Sequence, residues 1–299
     1  MICTAGKTAK RKEGKLRNTL KQYKKHKSLF LLFFPVLAYF IIFKYLTMYG
    51  VVIAFKDYYP RVGVFHSEWI GFKNFEKLFS GIYFLPVLRN TLVISFAKLI
   101  FGFPMPILLC LLLNEVKNLK FKKAVQTISY LPHFMSTVML VSFINILLSP
   151  SLGLVGNIFS SLGLEPIYFL GDARYFRGTL VVTNIWKTVG WNSIVYLAAL
   201  GGVNEELYDA ARVDGCGRWK RIWHVTLPGI TPVVTIMLIM AAGNLVSDNF
   251  DQVFNLLNPA VYSTGDVLGT YIYRQGITNM DYSYSTAVEL FRNLISLVL

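Results

Sequence analysis

Residues 125–164 contain no Asp, Glu, Lys or Arg. Forty consecutive uncharged residues are hard to place in water, where ordinary domains carry about 25% charged residues. The stretch is not isolated. Similar apolar runs cover about residues 29–55, 87–113, 124–148, 179–200, 228–246 and 284–299. Each approaches the roughly 20 residues that an α-helix needs to cross a bilayer. Within the uncharged stretch, Pro150, Gly153 and Gly156 place the end of the third helix near Leu148. The last run is still apolar at Leu299 with no flanking charge, so it reads as a truncated helix.

Composition agrees. Hydrophobic residues make up 54% of the chain, charged residues 15%, and mean hydropathy is +0.49. Such a chain is neither a disordered tail nor a soluble nucleic-acid binder, despite a net charge of +14. Lipid accepts only helices or closed barrels, because unpaired backbone groups find no water there. The runs lack the two-residue alternation of barrel strands. The expected class is therefore an all-α membrane protein with six transmembrane helices.

The basic residues give a direction. The arm of residues 1–27 carries ten Lys and Arg, residues 117–123 carry four, and residues 212–221 carry four. The opposite loops hold seven: Lys56, Arg61, Lys73, Lys77, Arg174, Arg177 and Arg274. Cytoplasmic loops are enriched in these residues, which puts the N-terminus inside the cell. The arm itself reads as an orientation signal touching anionic lipid. Its apolar sequel is too long for a cleaved signal peptide and no small-residue cleavage site follows. Outside, residues 65–79 repeat Trp69, Phe72, Phe75 and Leu78 every three residues, an interfacial helix pattern.

Nothing points to catalysis or metal binding. Three cysteines and four histidines are scattered, without the short spacings of a metal site. Ala5-Gly6-Lys7-Thr8 lacks the strand–helix context of a phosphate loop, and Gly215-Cys216-Gly217 lacks a dinucleotide turn's third glycine. No cofactor is expected. A membrane-embedded enzyme would need clustered acids, bases or ligands. An ion-coupled secondary transporter, the alternative function, would need coupling-ion sites and often an internal repeat.

Residues 203–228 carry the most information. Asn204 is a candidate N-cap, with Glu205 and Glu206 in the first turn, where the helix dipole favours acids. Leu207, Ala210, Ala211 and Val213 share a face; Gly215 and Gly217 bracket the stop. A second short helix bears Trp219, Ile222 and Trp223 and is expected to break at Leu227-Pro228. An amphipathic connector on the membrane would explain the tryptophans. A small face at Ala210-Ala211 between Asp209 and Asp214 instead suits insertion into a groove on a partner.

This loop resembles the E-A-A-x(3)-G loop of bacterial ABC importer permeases, which is followed by I-x-L-P. Here Asp209-Ala210-Ala211, Gly215 and Val225-Thr226-Leu227-Pro228 occupy those places. The longer form of the carbohydrate permeases matches Glu206-Leu207-Tyr208-Asp209-Ala210-Ala211-Arg212-Val213-Asp214-Gly215. Gly71-Phe72-Lys73-Asn74-Phe75, Arg89-Asn90-Thr91-Leu92, residues 186–192 and residues 281–287 also resemble that family, closest to its LplB-type members. The likeness covers residues 28–299. Asp209 departs from the usual glutamate, and Cys216 from alanine or serine.

The resemblance implies a non-catalytic permease subunit of the type I importer fold, in a bacterial plasma membrane. Its partners would be a second permease, two ATPase subunits, an extracellular solute-binding protein, an oligosaccharide and lipid. Glu206, Leu207, Asp209, Ala210, Ala211, Asp214 and Gly215 would then couple to the ATPase. Spans four and five supply polar groups that are expensive in lipid unless they face a cavity: Lys187, Thr188, Trp191, Asn192 and Tyr196, then Asn244, Asp248, Asn249 and Asp251. Carried over by position, the family's sugar cavity falls on Lys187, Thr188, Trp191, Ala241, Asn244 and Asp248. Asn and Thr serve equally well as glue between helices. Lys187 facing the cavity would suit an acidic oligosaccharide.

Overall fold

The computed structural model describes residues 27–246 and 250–298. Among the described residues, those up to Ile53 and those from Ala54 onward form two compact units. In the first, α1 (Lys27–Phe40) contains Pro35 and runs into a π-helical turn, Ile41–Tyr45. There Leu46 N–H reaches back five residues to Ile41 O at 2.9 Å. A 3-10 segment, Thr47–Phe55, completes a 29-residue apolar run long enough to cross a membrane. The rest of the arm before Lys27 lies outside the described residues.

The second unit opens with the one sheet among the described residues, β1 (Lys56–Asp57) antiparallel to β2 (Glu68–Trp69). The helix expected over residues 65–79 is only its second half, α2 (Lys73–Ser80). Trp69 instead pairs in the strand and stacks on Phe55. Leu78 is buried, whereas Trp69, Phe72 and Phe79 stay exposed.

Next, α3 (Phe84–Ala97) and α4 (Pro104–Glu115) are joined by the π turn Lys98–Gly102 into one 32-residue span. The third expected span is not one helix. It is α5 (Leu119–Phe134) and α6 (Thr137–Leu147), bent by 108° at Met135-Ser136. Pro132 removes a backbone donor, and the Ser136 hydroxyl accepts from Met139 N–H, capping a fresh helix there. The end expected near Leu148 falls at Leu147, ahead of α7 (Leu154–Ser161).

The longest helix is α8 (Ala173–Leu200), started by Asp172, whose carboxylate accepts from Arg174 N–H. It is long enough to span but more polar than the others. It is followed by α9 (Glu205–Val213) and α10 (Arg218–Arg221). The π turn Ile222–Thr226 connects α10 to α11 (Leu227–Gly243), making a continuous 26-residue helix. The expected break at Leu227-Pro228 therefore does not occur. Leu227 N–H bonds to Ile222 O, five residues back, and this wider turn accommodates the proline within the helix. Beyond it lie α12 (Phe250–Leu256), α13 (Leu268–Tyr273) and the 17-residue α14 (Tyr282–Val298).

Three clusters hold this unit together. Ile94, Leu140, Ile144, Phe176, Leu180 and Val253 form one. Leu78, Phe84, Leu268, Tyr271, Tyr284 and Val288 form the second. Cys110, Tyr196, Leu200 and Ile230 form the third. Tyr196 is only 1% exposed there, so it packs helices and does not line a path. Helix α8 crosses α5 at Gly190, where a Cβ would lie 2.1 Å from Ser129 O. Small residues at such crossings let membrane helices meet backbone to backbone. Elsewhere the helices present large apolar side chains outward, as lipid contact requires.

Buried polar groups lock the segment before α14 to α3. Asn90 donates to Ser263 O at 3.2 Å and Asp266 O at 3.1 Å, and accepts from Arg177 at 2.7 Å. Thr91 Oγ1 accepts from Leu268 N–H at 2.8 Å. Asp266 binds Arg274 at 2.5 Å and accepts from the Thr270 hydroxyl at 2.8 Å. Burial pulls the Arg274 pKa down, but the hydrogen bond and charge of Asp266 outweigh it and leave it raised.

Candidate functional site

Two regions collect the residues singled out by sequence. The first is the α9–α10 hairpin. Asn204 caps α9 by accepting from Glu206 N–H at 3.0 Å, and its amide donates to the Glu206 carboxylate at 3.1 Å. At the other end Gly215 takes φ +71. Gly215 N–H bonds to Arg212 O and Cys216 N–H to Ala211 O, the bond pair of a glycine-terminated helix. Asp214, the residue just before Gly215, is exposed.

The faces of α9 differ in part from expectation. Leu207, Ala210 and Val213 point outward, with Val213 88% exposed. Ala211 turns inward instead, beside half-buried Tyr208. Asp209 is exposed and pairs with Arg212 on its own helix at 2.6 Å. An exposed pair of this kind adds little stability, so Asp209 can exchange it for another cation. Tyr208 donates to the Thr226 hydroxyl at 3.1 Å. Arg218 lies 3.9 Å from Glu115.

The second region is a pair of adjoining cavities on α8, the first facing α3 and α11 and the second facing α5, α6 and α12. One, of about 320 Å3, is lined by Thr91, Ser95, Lys98, Asn184, Thr188, Asn192, Ala241 and Asn244 among others. The other, of about 330 Å3, is lined by His133, Thr137, Asn184, Lys187, Thr188, Phe250, Asp251 and Gln252. They share Asn184 and Thr188 as a common wall. Thus Thr188, Asn192 and Asn244 come together in the first, and Lys187 joins Thr188 in the second. Trp191 lines neither. It stacks on His133, with ring centroids 4.5 Å apart and planes 3° from parallel. Asp248 and Asn249 lie outside the described residues.

Lys187 Nζ donates to the Thr137 hydroxyl at 2.9 Å. Lys98 donates to Gln252 Oε1 at 3.0 Å, and Gln252 in turn donates to Leu180 O and Thr183 Oγ1. Asn184, Lys98, Gln252, His133 and Thr137 were not singled out from sequence. A lysine inside an apolar run was the available signal for Lys98. The others became legible only once the helices were placed. Among the described residues no group of His, Cys, Asp and Glu could hold a metal ion.

Residues 102–250 match the family described as the binding-protein-dependent transport system inner membrane component. Protein LplB of Bacillus subtilis strain 168 is 44% identical over 286 residues, covering 96% of this chain and 90% of LplB. The chain belongs to that transport family. The permease is also 42% identical over 288 residues to YteP of the same organism, a polygalacturonan/rhamnogalacturonan transport system permease protein, covering 96% of this chain and 90% of YteP. It superposes with TM-score 0.88 and 41% identity on a chain of a bacterial ABC transporter involved in the import of the acidic polysaccharide alginate. That match covers 94% of the permease and 95% of the other chain. A second structure of the alginate transporter, in complex with an alginate pentasaccharide-bound periplasmic protein, matches with TM-score 0.86. The permease therefore has the type I ABC importer fold and is a multi-pass, non-catalytic transport subunit, and the comparisons lend no support to the ion-coupled alternative.

Proposed function

We propose that this permease encloses half of the path for an acidic, polysaccharide-derived oligosaccharide and takes its drive from a separate ATPase through α9. A second permease would complete the path, two ATPase subunits would sit on the α9 side, and a solute-binding protein would deliver the sugar outside. The exposed apolar strip Leu207, Ala210 and Val213, flanked by Glu206, Asp209 and Asp214, carries this reading. A soluble or lipid-facing connector has no use for a small-residue face bordered by acids, whereas a protein groove accepts one. The ten basic residues of the arm and the eight in the two loops on its side favour a cytoplasmic N-terminus.

In the cavities, Thr188, Asn192 and Asn244 offer hydrogen bonds to sugar hydroxyls. Lys187 offers a cation whose partner is the neutral Thr137 hydroxyl, leaving its charge available to a carboxylate. The relatives' printed substrates, polygalacturonan and alginate, carry such carboxylates. The test is co-purification of the ATPase with the permease carrying Asp209→Lys or wild-type Asp209. Loss of ATPase from the variant, with membrane insertion intact, is the expected result. Equal recovery would remove the docking role.

A further inference from the structure

The α9 helix is tied to the rest of the chain in an uneven way. Its covalent links run through Gly201-Gly202 at one end and Gly215 and Gly217 at the other. Glycines bend easily, so neither link transmits a push faithfully. Among the described residues, one side-chain hydrogen bond leaves α9 for another element: Tyr208 OH to Thr226 Oγ1, 3.1 Å. The other side-chain bonds of α9, Asp209 with Arg212 and Asn204 with Glu206, stay within the helix and its cap.

The receiving residue is placed to matter. Thr226 is 2% exposed and is the last residue of the π turn Ile222–Thr226, where α10 becomes α11. Its hydroxyl also reaches Arg221 O, at 3.4 Å, across that same turn. A π turn is a local under-wound register that returns to α-helix when its i→i+5 bonds shift to i→i+4, which makes it a two-state element within a stiff rod. Just beyond it, Gly229 packs so closely on Val203 that an added Cβ would lie 2.7 Å from that side chain. The foot of α11 is thus wedged against the end of α8 and gripped by α9 through one bond.

We propose that the Tyr208–Thr226 hydrogen bond is the strut that carries motion of α9 into the π turn and so into α11. Tyr208 and Thr226 are positioning residues: they touch neither sugar nor nucleotide, and they fix the register in which the two helices move together. This inference rests on α9 being the ATPase-docking helix.

The experiment uses the whole transporter with its sister permease, ATPases and binding protein, reconstituted in lipid nanodiscs. Cys3 and Cys216 are replaced by serine. Spin labels on Glu205→Cys and Ile239→Cys report the α9–α11 distance before and after trapping with ATP and vanadate. With the strut intact, the two helices move together and the distance distribution is unchanged on trapping. Tyr208→Phe and Thr226→Val each give a distance shift on trapping that lies outside the wild-type distribution, and Thr226→Ser restores wild-type behaviour. Distributions in the two variants that match wild type would overturn the strut. ATPase recovered with wild type but lost with Tyr208→Phe would make Tyr208 a docking contact and equally overturn it. Failure of the wild-type permease to retain ATPase would instead sink the docking reading on which the strut depends.

Discussion

Lys187 on α8 and Thr137 on α6 meet through a 2.9 Å hydrogen bond that spans the second cavity's wall. Thr137 is the first residue of the helix that restarts after the 108° bend. The bend therefore brings a hydroxyl within hydrogen-bond reach of the lysine in a cavity also lined by Asn184, Thr188 and Gln252.

That contact sets an expectation about specificity. Lys187→Met should reduce uptake of uronate oligomers by tenfold or more, equivalent to about 1.4 kcal/mol. Uptake of a neutral oligosaccharide of the same length should change far less. Thr137→Val should show a smaller effect in the same direction, because it frees the ammonium without removing it. Uptake of paired labelled oligomers by cells expressing each variant decides the point. Equal losses for acidic and neutral sugars would assign Lys187 to helix packing.

The crossing at Gly190 should be intolerant. A methyl there meets Ser129 O at 2.1 Å and Ser129 C at 2.3 Å, both backbone atoms that cannot rotate away. Overpacking a well-filled site costs about 1–3 kcal/mol. Gly190→Ala should lower the melting temperature in detergent, and Gly190→Leu should prevent accumulation in the membrane. Gly178, which meets nothing within 4 Å on the same helix, is the control.

How much of this was legible in sequence follows from which forces are local. The cap at Asn204, the stop at Gly215 and the end near Leu148 depend on residues a few positions apart, and each was readable. The π turn ahead of Pro228 was not. A proline in the pattern predicts a break unless a wider turn absorbs it, and that choice depends on packing such as Thr226 against Tyr208. The bend at Met135-Ser136 was hidden by an unbroken apolar run, because hydropathy does not register direction. Ala211 and Tyr196 were misplaced for the same reason: each is apolar enough to face either way, and neighbouring helices decided. The motif Arg89-Asn90-Thr91-Leu92 resembles the family in sequence but has no local physical reason. The structure supplies one: three long-range bonds join Asn90 and Thr91 to residues 263–268.

The ion pair between Asp266 and Arg274 should be a stability element independent of pH. Burial lowers the Arg274 pKa, but the hydrogen bond and charge of Asp266 raise it further, above its ordinary value. A group with a raised folded pKa contributes stability below its unfolded value and loses it only as pH climbs through the folded one. Both values lie above any pH at which the permease would be assayed, so melting should be flat from pH 7 to about 10 as far as this arginine is concerned. Asp266→Asn leaves the guanidinium beside Tyr262 and Tyr271 without its carboxylate. Removing one partner of a buried pair costs about 3–5 kcal/mol, and a clear drop in melting temperature is expected.

Gly215 separates two roles that a single loss of transport would confuse. Its φ of +71 lies in the left-handed region, open space surrounds its missing Cβ, and its N–H bonds to Arg212 O. Gly215→Ala adds no clash and should cost only about 1–2 kcal/mol of local strain. Transport should persist, slightly slowed. Gly215→Pro fixes φ near −65° and deletes the N–H, so the α9 terminus must unwind or the chain must leave in another direction. Docking of α9 and its register against Thr226 would both be lost, while the spans, built from separate clusters, remain. The expected pair of results is therefore normal membrane levels for both variants and ATP-driven uptake in Gly215→Ala alone. Uptake at wild-type rate by Gly215→Pro would mean that the hairpin's shape is irrelevant to coupling.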